Sequence, residues 1–217
     1  MGKIFFKLIT KKVLRDISVV FTINNEDTFF FKKYHKSVIR IPHWAKYEIP
    51  STPPTKNPKM VLFVGRLNES NKGFEHLYHL PIDKYEIHCV GKGDVFLRPD
   101  MKIHTNISDE ELAALYQQSS LLVVPSRYEA FSYVTLEALA NYTPVVLSDR
   151  VRIADYLNGF SGVSCFKFND YDDFALKVEN TIGKDVNPYD IIGTFSPQVI
   201  KEKYKSAYLE ILSNSRG

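Results

Sequence analysis

Leu121-Leu122-Val123-Val124-Pro125-Ser126-Arg127-Tyr128-Glu129-Ala130-Phe131-Ser132-Tyr133-Val134-Thr135-Leu136-Glu137 reads as an apolar strand, a polar turn and the entry to a helix. The same unit recurs on both sides of it. Further β-branched runs lie at Met60–Val64, Tyr85–Val90, Pro144–Leu147 and Val163–Phe168. Amphipathic segments predict helices at about Lys72–Leu80, Asp109–Gln118, Ser132–Asn141, Arg152–Leu157 and Asp170–Ile182, and a last one over Pro197–Leu212. Strands alternating with helices imply βαβ units and a parallel sheet. Right-handed crossovers make this an α/β, Rossmann-like doubly wound fold. Ligands of such sheets bind outside the carboxyl ends of the strands. The loops that matter therefore follow Val64, Val90, His104, Val124 and Leu147.

The first 50 residues read differently. Ile17–Ile23 is expected as a strand, Asn25–Lys36 as a helix and Ser37–Ile41 as a second strand. Four prolines in the nine residues Pro50–Pro58 mark a linker. The expected organisation is a β-α-β fragment over 1–50, a proline-rich linker over 51–58, and one complete α/β domain over 59–217 that includes the C-terminal helix.

The chain has 217 residues, 44% hydrophobic and 24% charged, enough to bury a sizeable core. A formal net charge of +3 is too small for a nucleic-acid binder and fits a small anionic ligand. Cys89 and Cys165 sit far apart in apolar stretches and are expected as two buried thiols in a reducing compartment. No apolar run approaches the roughly 18 residues of a membrane span, and the N-terminus has no small-residue cleavage site. A cytoplasmic protein is expected. Lys3, Lys7, Lys11 and Arg15 recur every four residues among Ile4, Phe5, Phe6, Leu8 and Ile9. If helical, that stretch has a basic stripe suited to peripheral contact with an anionic membrane. The competing expectation, placed ahead of it, is that its apolar residues pack on the chain itself or on a second protomer.

Three loops carry residues with chemistry. After the first strand, Gly65 allows a tight turn, and Arg66 and Lys72 place two cations near the start of a predicted helix. That arrangement suits a diphosphate, and it equally suits two solvated surface charges. Gly91-Lys92-Gly93-Asp94 fits a loop beside a ligand or an ordinary surface turn, and is not a dinucleotide fingerprint. In the opening segment, the backbone amides of Phe131, Ser132 and Tyr133 at the helix start suit a phosphate. Glu129 and Glu137 lie eight residues apart, about 12 Å at a helical rise. That spacing suits one carboxylate on a sugar and the other on a ribose, with the diphosphate between. Taken singly, each glutamate also reads as a capping or a solvated residue.

These segments resemble the donor-binding domain of the retaining GT-B glycosyltransferases of family four. VLFVGRLNESNKGFEHL and VVPSRYEAFSYVTLEALANYTPVVLSD carry the likeness, the second with the family's E-x7-E motif as Glu129 and Glu137. HTNISDEELAALYQQSSLLVVPS and FSPQVIKEKYKSAYLEIL are similar as well. The resemblance implies a nucleotide diphosphate sugar as co-substrate and no separate cofactor. It implies that Arg66 and Lys72 neutralise the departing diphosphate and that Glu137 binds the ribose. Glu129 would touch the transferred sugar, and backbone near Ile107 would face the base. Gly65, Ala130, Phe131, Ser132 and Tyr133 complete the implied donor-binding set, with Glu129, Arg66 and Lys72 as the catalytic residues. The sequence departs from the family in two ways. It holds only a β-α-β fragment of the acceptor-binding domain, and His43-Trp44 stands where the family has asparagine-glycine.

The expected function is sugar transfer with retention to an unidentified glycan, lipid or protein acceptor. The alternative is a donor-binding subunit whose cleft is completed by a second chain or a homo-oligomer. Asp170-Tyr171-Asp172 matches a metal-binding DxD pattern, but its place at a helix start makes Asp170 a cap. No metal is expected.

Overall fold

The computed structural model describes residues 12–45 and 47–214. They fall into two compact units, one made of residues 12–45 with 193–214 and the other of Tyr47–Ile192.

In the first unit, strands β1 (Val20–Thr22) and β2 (Val38–Arg40) pair in parallel and are joined by helix α1 (Asn25–Lys32). Asn24 starts α1 by accepting the Asp27 N–H at 2.8 Å. This is the expected β-α-β fragment, with shorter elements. The C-terminal helix α6 (Pro197–Asn214) groups with it, whereas the sequence placed that helix with 59–217. The reason is apolar matching. Ile200, Tyr204 and Ala207 share one helix face and pack with Phe21, Ile39 and Ile41.

The second unit is a six-stranded, wholly parallel sheet. Its strands are β3 (Asn57–Val64), β4 (Glu86–Val90), β5 (Met101–His104), β6 (Ser119–Val124), β7 (Val145–Ser148) and β8 (Val163–Phe166). Their order is β5-β4-β3-β6-β7-β8, reversing direction between β3 and β6. The central strands are buried on both faces, which is why their sequences are continuous apolar runs. Helices α2 (Asp109–Gln118), α3 (Tyr133–Ala140) and α4 (Tyr171–Thr181) belong to this unit, and α5 (Tyr189–Phe195) follows α4 in the chain. Ser108 and Glu111 form a reciprocal capping box at the start of α2. Lys56 Nζ donates to Tyr116 O at 3.1 Å, Asn141 O at 2.8 Å and Thr143 Oγ1 at 2.6 Å, tying the ends of α2 and α3 to the foot of β3.

The doubly wound parallel sheet is the fold expected from sequence, with three local corrections. No α-helix covers Lys72–Leu80. The segment is two 3₁₀ turns, Ser70–Lys72 and Phe74–His79, split by Gly73 in a left-handed conformation. Lys72 therefore stands at the end of a 3₁₀ turn and not before an α-helix start. Cys89 is buried, but Cys165 is exposed on the edge strand β8. Arg152–Leu157 is likewise no α-helix but a 3₁₀ turn over Arg152–Tyr156. Asp170 caps α4 as expected, accepting the Asp173 N–H at 3.0 Å. The basic stripe of Lys3, Lys7 and Lys11 lies outside the described residues. No helix among the described residues is long and apolar enough to cross a membrane.

Candidate functional site

Glycine lets the loops after β3 and β4 touch. The Gly65 N–H donates to Val90 O at 2.9 Å and the Leu67 N–H to Lys92 O at 2.9 Å. A Cβ at Gly91 would sit 1.9 Å from the Gly65 carbonyl oxygen, so no other residue fits. Together the loops line a surface pocket of about 560 Å³. Arg66 is on its rim, with a side chain 80% exposed and a weak pairing to Glu69 at 3.7 Å.

The next turn lies against the loop after β6. Asn71 O accepts the Arg127 N–H at 2.8 Å, and Asn71 Nδ2 donates to Tyr128 O at 2.9 Å. Lys72 Nζ then meets Glu129 Oε2 at 3.3 Å, with both side chains mostly buried. Ser126 Oγ donates to the same oxygen at 3.0 Å. Glu129 is pinned from behind by the loop after β7. Its N–H donates to Arg150 O at 3.2 Å, and its carbonyl accepts the Arg152 N–H at 2.8 Å. The carboxylate is thus fixed by backbone on one side and by a cation and a hydroxyl on the other, while no described residue bonds its Oε1.

Helix α3 begins immediately downstream. Ser132 is its cap residue in extended conformation and makes no side-chain capping bond. Its hydroxyl instead accepts from Thr135 Oγ1 at 2.8 Å. Ala130 is half-buried, Phe131 is buried, and Tyr133 is exposed beside the Phe131 ring. Glu129 to Ser132 is not helical, so the separation of Glu129 and Glu137 is not a simple helix rise.

Glu137 lies on α3, half-buried, and accepts a hydrogen bond from the Tyr116 hydroxyl at 2.9 Å. Burial raises its carboxyl above the ordinary value, and the Tyr116 bond opposes that shift. The Tyr47 hydroxyl is buried without a hydrogen-bond partner, and its ionisation is pushed up by burial and then by Glu137. Ile107 is in the loop between β5 and α2. Sequence reasoning singled out Lys72, Glu129 and Glu137 but missed Ser126, Tyr116 and Tyr47. Ser126 lies three residues before Glu129 in the same turn, so its nearness was legible although its bond was not. Tyr116 and Tyr47 had none, because only the fold brings them to Glu137.

The raised Glu137 carboxyl has a stability consequence. A carboxyl whose folded value exceeds the unfolded one disfavours folding once it ionises. Glu137→Gln keeps an acceptor for Tyr116 and removes the buried charge. The variant is expected to melt above the parent at neutral pH. The gap should close as pH falls through the folded-state value toward 4.5, where the parent's carboxyl is protonated too. Calorimetry across that range checks it, and a gap that widens on acidification would contradict the assignment.

The fold is that of the GT-B glycosyltransferases. Sucrose-phosphate synthase from Thermosynechococcus elongatus superposes with a TM-score of 0.73 at 20% identity, covering 98% of this chain and 63% of that one. The lipopolysaccharide outer core galactosyltransferase WaaB gives 0.75 at 17% identity, covering 89% and 62%. Residues 58–184 match the family described as glycosyl transferases group 1, and the chain belongs to that family. An uncharacterised glycosyltransferase of Methanocaldococcus jannaschii is 35% identical over 106 residues, 42% of this chain and 27% of that protein. Glycogen synthase of Mycobacterium tuberculosis is 28% identical over 145 residues, 56% of this chain and 33% of its own length. The matches thus span about a quarter to a third of these relatives.

Proposed function

We propose that this chain binds a nucleotide diphosphate sugar and takes part in transferring its sugar, with retention, to a glycan, lipid or protein acceptor. One observation carries the reading. Lys72 and Glu129, 57 residues apart in sequence, meet at the carboxyl ends of β3 and β6, beside the start of α3. Strand ends at a change of strand order are where α/β sheets bind nucleotides. In this reading the anomeric C–O bond breaks, the diphosphate leaves with the electron pair, and an acceptor hydroxyl oxygen bonds the anomeric carbon from the same face while its proton passes to the departing diphosphate. Lys72 stabilises the charge that develops there. Glu129 positions the sugar through its second oxygen, and Glu137 accepts from the ribose hydroxyls. Backbone of Gly65, Ile107 and the Ala130–Tyr133 turn lines the rest of the donor, and Arg66 adds an exposed surface cation. The positive charge comes from side chains, so no metal and no separate cofactor is called for.

A second reading is a donor-binding subunit that needs another chain for acceptor capture.

Calorimetry with UDP-, GDP- and ADP-sugars, with and without chelator, tests the proposal. One donor class is expected to bind equally well in both conditions and to raise the melting temperature. Binding that vanishes in chelator overturns the metal-free mechanism, and no binding by any donor overturns the whole reading. Donor hydrolysis by the isolated chain distinguishes the enzyme from the subunit.

A further inference from the structure

His76 is fully buried one turn beyond Lys72, a place where a leucine would satisfy the core. Its Nδ1 lies 3.0 Å from the Gly73 carbonyl oxygen, which also accepts the His76 backbone N–H at 3.1 Å. A carbonyl only accepts, so Nδ1 carries the proton. Nε2 is then a bare acceptor, and it is buried without a hydrogen-bond partner. Four aromatic rings surround the imidazole: Phe166, Phe168, Tyr171 and Phe174, with centroids 5.0 to 5.6 Å away. The titratable and charged groups facing it are Glu75 and His79 on its own segment, Arg127 from the loop after β6, and Tyr171 from α4. Burial holds the ring neutral by lowering its basicity.

The cage leads back to the site. Phe168 lies 5.1 Å from the Arg127 guanidinium, and the Arg127 N–H donates to Asn71 O, next to Lys72. The turn Ser70–Gly73 is thereby gripped at Asn71 and at Gly73, on either side of the lysine.

We propose that His76 is a positioning residue for Lys72: its Nδ1–H fixes the Gly73 carbonyl and so sets the direction in which Lys72 leaves the turn toward Glu129. The inference rests on the reading of Lys72 as the diphosphate contact. A hydrogen bond to a buried carbonyl from a rigid ring gives more orientational control than packing alone, because both the donor angle and the ring plane are set. A leucine here would fill the volume and leave the Gly73 carbonyl with the backbone N–H of residue 76 as its one remaining donor, losing the side-chain bond that fixes its direction.

Residue-by-residue lysine acylation, read by mass spectrometry on the full chain, tests this without a donor. In the parent, Lys72 should react slowly because Glu129 holds it. His76→Leu should raise the Lys72 rate about fivefold, the equivalent of one buried hydrogen bond of about 1 kcal/mol, with the other lysines unchanged. An unchanged Lys72 rate in a folded His76→Leu protein overturns the proposal. Should that variant unfold, all lysines accelerate together, and a second pair decides. Asn presents an N–H close to the Nδ1 position, whereas Gln carries it one carbon further. His76→Asn should keep Lys72 protected and His76→Gln should not. Equal protection, or equal loss, in the two overturns the proposal. Inorganic pyrophosphate added to the parent tests the underlying reading separately. It should slow Lys72 acylation further, and failure there rejects the diphosphate contact while leaving the His76 result intact.

Discussion

Lys72→Met is expected to lower sugar-donor turnover about a hundredfold or more, with a smaller rise in the donor's dissociation constant. Removing one preorganised charge or donor from a site where negative charge develops typically has an effect of 10²- to 10³-fold, about 3–4 kcal/mol. Lys72 meets the structural condition for so large an effect. It is mostly buried, held by Glu129 at 3.3 Å, and anchored by a turn that is itself bonded to the loop after β6. Arg66 supplies the contrast. Its side chain is 80% exposed and weakly paired to Glu69, so Arg66→Ala should reduce turnover by no more than about fivefold, the range of exposed ion pairs. Glu129→Gln should harm turnover nearly as much as Lys72→Met, and the double variant should be little worse than either single one. Groups that act as a unit lose their effect together. Steady-state kinetics on the four proteins would measure this. Strictly additive losses, or losses within twofold for both single variants, would show that the pair is a structural ion pair without a part in transfer.

The fold was readable wherever burial is complete. Met60–Val64, Leu121–Val124 and Val145–Leu147 are unbroken apolar runs because both sheet faces are covered, so periodicity could not mislead. β5 was absent from the sequence-based strands, though its end at His104 was marked as a loop to watch. It is an edge strand of four residues in which Lys102 is exposed, and one-sided burial dilutes the apolar signal. The 70–80 segment failed for a subtler reason. Phe74, Leu77 and Leu80 recur every three residues, a spacing shared by the α-helix and the 3₁₀-helix. Only the left-handed Gly73, invisible in a hydropathy pattern, decides between them. The site was legible as residue types and not as contacts. Lysine, glutamate and a helix start at successive strand ends point to an anionic ligand. That Lys72 and Glu129 touch, that Tyr116 supports Glu137, and that His76 underlies the turn are consequences of strand order and loop packing across 57, 21 and 3 residues of chain. Similarly, α6 reads as amphipathic from sequence, but nothing in it says which apolar partner its face will meet.

Gly73→Ala is expected to destabilise the protein by about 3 kcal/mol or more, near the upper end for single substitutions. Two effects combine. Gly73 has φ +68°, where a side chain adds about 1 kcal/mol of strain. A Cβ there would also stand 2.0 Å from the Pro125 carbonyl oxygen and 2.8 Å from its carbon. That neighbour is backbone at the exit of the central strand β6 and cannot swing aside as a long side chain would. The turn must lift away from β6, which breaks the Asn71 bonds to Arg127 and Tyr128 and withdraws Lys72 from Glu129. Gly183 isolates the first effect from the second. It has φ +71°, nearly the same backbone, but nothing lies within 4 Å of its would-be Cβ. Gly183→Ala should therefore lose only the conformational term, about 1 kcal/mol. Urea unfolding of the two variants gives both numbers directly. Equal losses would mean that the Pro125 contact relaxes without penalty, and the close seating of the Lys72 turn on β6 would then have no energetic weight. A large loss at Gly73 alone, accompanied by faster acylation of Lys72 in the protein that remains folded, would tie the stability of this turn to the placement of the cation it carries.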